Sequence, residues 1–105
     1  MSPTPSLPLR LDLPDLGPVV CTRTLRLLPG RRWTLAGATE RGARAVVVKL
    51  FLAGRRARRD FRREQRGFER LHRHAISAPQ LLYAGALAEP AGWVVVTAAL
   101  DGTPA

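Results

Sequence analysis

Lysine occurs once in this chain. The 105 residues hold 17 Lys and Arg against 8 Asp and Glu, a formal net charge of +9. The single lysine, Lys49, stands near the end of Ala45 to Leu52, an almost wholly apolar run. Successive strand residues point to opposite faces, so Val47, Lys49 and Phe51 share one face and Val46, Val48 and Leu50 the other. With apolar neighbours on both faces, the ammonium must reach solvent, an anion or a carboxylate. Glu64 offers the carboxylate. It belongs to the series Ala57, Phe61, Glu64, Phe68, Leu71 and Ala75, spaced by 4, 3, 4, 3 and 4 residues, one face of a helix. A carboxylate turned toward a core is costly unless it meets a cation. Lys49 and Glu64 are therefore expected to pair. The plainer alternatives are a lysine whose stem snorkels to water and a buried ion pair with no further chemistry.

The elements that must position this pair follow from the rest of the pattern. An apolar content of 46% fits one small globular domain. Residues 1–18 hold Pro3, Pro5, Pro8, Pro14 and Pro18, which predicts an extended lead-in and no sheet strand. Three β-rich runs follow, Val19 to Leu28, Trp33 to Ala38 and Arg44 to Phe51, parted by turns at Leu28-Pro29-Gly30 and Thr39-Glu40-Arg41-Gly42. The spacing predicts a helix over 55–73, in which Gly67 costs about 1 kcal/mol relative to alanine. Ser77-Ala78-Pro79 ends it. Leu81 to Ala88 and Trp93 to Leu100 read as two last strands joined at Glu89-Pro90-Ala91-Gly92. The expected fold is α+β, a five-stranded antiparallel sheet with one main helix in the order β-β-β-α-β-β.

That order, with Val46-Val47-Val48-Lys49 on the third strand and F-R-R-E-Q-R-G-F-E-R-L on the helix, resembles the N-lobe of a protein-kinase-like fold. The resemblance spans residues 19–105. Within that fold it is most like the bacterial lipopolysaccharide kinases, which phosphorylate Kdo or heptose. The Arg-rich helix, the connector Ala78 to Gly85 and the segment Val95 to Gly102 carry that likeness. The resemblance implies that Lys49 pairs with ATP phosphates and with Glu64. It implies that Val47 packs on adenine and that Thr97 is the gatekeeper. The backbones of Ala98 and Leu100 would then bond the adenine edge. The implied cofactor is ATP, with Mg2+ bound only in the presence of a C-lobe.

Two departures qualify what the resemblance implies. The turn Leu28 to Arg32 has one glycine, so the G-x-G-x-x-G loop that covers phosphates is missing; Arg31 and Arg32 there read as exposed turn residues more than as phosphate ligands. The family's catalytic Asp and Asn and its metal-binding Asp also have no counterpart, and no D-x-D or H-x-D arrangement occurs. The expectation is an ATP-binding lobe of a phosphotransferase, truncated at the hinge and inactive alone. Such a lobe would expose an apolar face to a C-lobe or to a second copy of itself.

Other chemistries find little support. One cysteine, Cys21, excludes a disulfide framework and a Cys-rich zinc site. His72 and His74, two apart on a helix, point to different faces. The rival reading comes from nine arginines within 55–73, which fit a basic module binding nucleic acid or an anionic membrane surface. No aromatic stacking platform accompanies them, which ranks nucleic acid low. The start MSPTPSLPLR lacks a secretory pattern, so the cytoplasm is the expected compartment. An anionic, membrane-held lipopolysaccharide precursor would draw the protein to the inner membrane surface.

Overall fold

The computed structural model describes residues 5–28, 30–54, 56–73, 80–88 and 91–99, with the side chain of His72 excepted. Six strands and one helix follow in the order β1 (Leu9–Leu13), β2 (Gly17–Leu28), β3 (Arg32–Thr39), β4 (Ala45–Leu52), α1 (Ala57–Arg73), β5 (Leu81–Leu87) and β6 (Gly92–Ala98). The strands form one antiparallel sheet in the spatial order β1-β2-β3-β4-β6-β5.

The five-stranded sheet expected from the sequence is therefore corrected to six, in the order β-β-β-β-α-β-β. The extra strand, β1, lies inside the stretch expected to be a proline-rich lead-in. Pro8 precedes it and Pro14 follows it, so neither ring removes a donor from its ladder. Between them Leu9, Leu11 and Leu13 alternate with Arg10 and Asp12 and pair along β2 from Cys21 to Gly17. Leu11 and Leu13 are buried. Asp15 and Gly17, with φ of 64° and 81°, turn the chain between the two strands.

The sheet has two apolar faces. Leu11, Val19, Cys21, Leu35, Val48 and Val96 belong to a core on one face that runs from β1 to β6, so the sheet curls over its own side chains. On the other face α1 packs Ala57, Phe61 and Phe68 against Phe51 and Val95. Phe61 stacks on Trp93 with ring centroids 4.9 Å apart and meets Phe51 edge-on at 6.3 Å. This two-sided burial explains why β4 is apolar at nearly every position. Gly92, at φ 148°, allows β6 to start against β4: a Cβ there would collide with the carbonyl oxygen of Phe51.

Candidate functional site

The register of the sheet sets the site. Thr34 of β3, Lys49 of β4 and Val95 of β6 lie directly opposite one another, so Lys49 falls on the face that α1 covers. Glu64, from the helix stripe, meets it there: Lys49 Nζ donates to Glu64 Oε2 at 3.1 Å. The side chains keep 32% and 23% of their exposure, so the pair is neither fully dry nor fully solvated. An ammonium has three donors, and one serves Glu64.

A second ion pair ties the helix to the turn between β2 and β3. Arg31 Nε donates to Asp60 Oδ2 at 3.2 Å. Asp60 lies in the first helical turn, where a negative charge also complements the helix dipole. Asp60 and Glu64, four residues apart, thus line one flank of α1 and hold Arg31 and Lys49 against it.

Between the turn and this flank opens a cleft of about 370 Å³ lined by Leu28, Arg31, Arg32, Arg63, Glu64 and Gly67, with Asp60 at its side. The Arg32 guanidinium sits 5.9 Å from the centre of the Phe51 ring. Its Nε is buried and has no hydrogen-bond partner among the described residues. Gly67 faces open space, and a Cβ there would touch nothing. The glycine in mid-helix is therefore not demanded by packing, and its effect is to keep the cleft wide. Arg32, expected as an exposed turn residue more than a phosphate ligand, is instead half-buried at the start of β3, and Gly67 carries no signal in the sequence beyond its cost to the helix. The nearest signal was Asp60 at four-residue spacing from Glu64.

The remaining expected residues fall on β4 and β6. Val47 lies two residues before Lys49 on the same face, directly opposite Thr97, which is buried. Ala98 pairs with Val46, and its N–H donates to the carbonyl of Gln80 at 2.9 Å. That N–H is therefore spent inside the sheet and does not serve a ligand edge. Leu100 lies outside the described residues, as do His74, Ser77 to Pro79 and residues 101–105.

Cys21 takes no part in this chemistry. It is fully buried in the curled core, and burial pushes its thiol up to about 11, so the nucleophilic thiolate is scarce at neutral pH. Among the described residues no three potential metal ligands cluster, and no helix is long and apolar enough to cross a membrane. Compared with known proteins, the chain matches no family model, no curated protein and no solved structure.

Proposed function

We propose that the chain binds a nucleoside triphosphate at the Lys49–Glu64 pair, as the ATP-binding lobe of a phosphotransferase of lipopolysaccharide-kinase type. The observation that carries this reading is the half-buried ion pair at 3.1 Å beside an arginine-lined cleft. A polyphosphate needs several cations at short range: Arg31, Arg32 and Arg63 line the cleft, and Lys49 is tied to its wall through Glu64. Glu64 holds the lysine side chain in one orientation and leaves two of its donors for phosphate oxygens. Arg31, restrained by Asp60, and Arg32, over Phe51, take the part that backbone amides of a glycine-rich loop would otherwise play. Val47 and Thr97 would receive the base on the same sheet. The residues named here bind nucleotide; transfer of the phosphoryl group, with Mg2+, belongs to a second lobe.

The test is titration of the chain with a fluorescent ATP analogue at low salt. Lys49→Met should weaken binding at least about tenfold, the effect of losing more than one charge-assisted hydrogen bond. Gly67→Leu should do the same by filling the cleft, while circular dichroism of both variants stays unchanged. Undiminished affinity in Lys49→Met would end this reading.

A further inference from the structure

The acids of α1 are unevenly used. Asp60 and Glu64 are both turned to the sheet side, where they hold Arg31 and Lys49. The helix has one other acid, Glu69. Its solvent side carries Arg59, Arg62, Arg66, Arg70 and Arg73, spaced by 3, 4, 4 and 3 residues, all exposed. These five form a single stripe opposite Ala57, Phe61 and Phe68. At 1.5 Å per residue the stripe is about 21 Å long. Arg58 flanks it and lines a shallow depression with Arg59, Arg62 and Arg66. Among the described residues none of these six guanidiniums lies within ion-pair distance of a carboxylate. Like charges three and four residues apart weaken a helix, so the stripe works against its own element unless something anionic covers it.

We propose that this face binds the sugar-phosphate backbone of a nucleic-acid duplex, independently of the nucleotide site. A straight row of forked guanidiniums suits a line of phosphates, which each can grip with two parallel bonds. A helix that lies in a bilayer surface keeps an apolar face for the lipid. Here that face is spent on Phe51 and Val95 of the sheet. Single strands are held largely by stacking on aromatic side chains, and the stripe has none. Backbone contact with a duplex needs neither.

The experiment is fluorescence anisotropy of a labelled 20-base-pair duplex titrated with the whole chain between about 50 and 200 mM NaCl. Five neutralised phosphates give a slope of log K against log salt of about −4.5. Changing Arg59, Arg62, Arg66, Arg70 and Arg73 together to Gln should bring the slope close to zero and weaken binding at 50 mM salt by about a hundredfold or more. The ATP analogue should bind this variant as it binds the parent. The control Arg10→Gln/Arg41→Gln/Arg44→Gln, also on exposed positions, should retain duplex affinity within about threefold. Should the fivefold change lower the unfolding temperature, Arg66→Gln/Arg70→Gln reads the same effect as a slope change of about 1.8. No duplex binding at 50 mM salt, or an equal loss in the control, overturns the proposal. So does binding to phosphatidylserine vesicles, lost in the fivefold variant, without binding to the duplex.

Discussion

Breaking the Lys49–Glu64 pair from each side, and then from both, measures what it contributes. Glu64→Gln and Lys49→Met each remove one charge and keep much of the side-chain volume. At 3.1 Å the bare attraction is about 5 kcal/mol for an effective dielectric of 20. Desolvation and the ordering of two long side chains offset most of it. Exposed pairs retain about 0.2–1 kcal/mol and hydrogen bonds to charged groups about 1.5–3. With 32% and 23% of the side chains exposed, the pair lies between these cases, and a coupling of about 1.5 kcal/mol is expected. Each single change should cost about 1.5–2 kcal/mol, because it strands the other charge half-buried. The double variant should cost less than the sum of the two by the coupling. Urea unfolding at pH 7 reads this directly: at a slope near 1.5 kcal/mol per molar, each single variant shifts the midpoint by about 1 M. Single losses that add to within about 0.3 kcal/mol of the double would refute the pairing.

Two further outcomes test the fold around the site. Leu11, on the strand hidden among the prolines, keeps 1% of its exposure, so Leu11→Ala should cost about 2–4 kcal/mol; a loss below about 0.5 kcal/mol, the range of surface changes, would take β1 off the sheet. The Cys21 thiol is raised from 9.0 to about 11 by burial, so the unfolded chain sheds its proton first as pH rises. The stability it contributes is complete below about pH 9 and falls by up to about 1.4 kcal/mol per pH unit between there and pH 11. Parallel loss of stability from pH 8 to 10.5 in the parent and in Cys21→Ala would refute this.

The sequence made Lys49 and Glu64 legible because each is an ion on an apolar face, with few ways to escape the cost. It is misleading at β1, where five prolines in the first 18 residues mask the alternation. Leu9-Arg10-Leu11-Asp12-Leu13 has the two-residue period of a half-buried strand, and Pro8 and Pro14 stand at its ends, where a missing N–H breaks no ladder. The cleft was out of reach for a different reason. Arg31 and Asp60 are 29 residues apart and meet only because the turn between β2 and β3 leans on the first turn of the helix. Register supplied the rest: Val47 and Thr97 are directly opposite across the β4–β6 ladder, a relation that neither strand states alone.

The placement of the two tryptophans gives the molecule an optical readout of each layer. Trp33 is buried in the curled core, where its Nε1 has no partner among the described residues. Trp93 is on the other face, stacked with Phe61 of the helix. Emission from Trp33 therefore reports the integrity of the sheet, and emission from Trp93 reports whether the helix is seated. A variant carrying only one of them separates undocking of α1 from global unfolding, and so tells whether whatever binds the arginine stripe or the cleft steadies the helix alone or the whole fold.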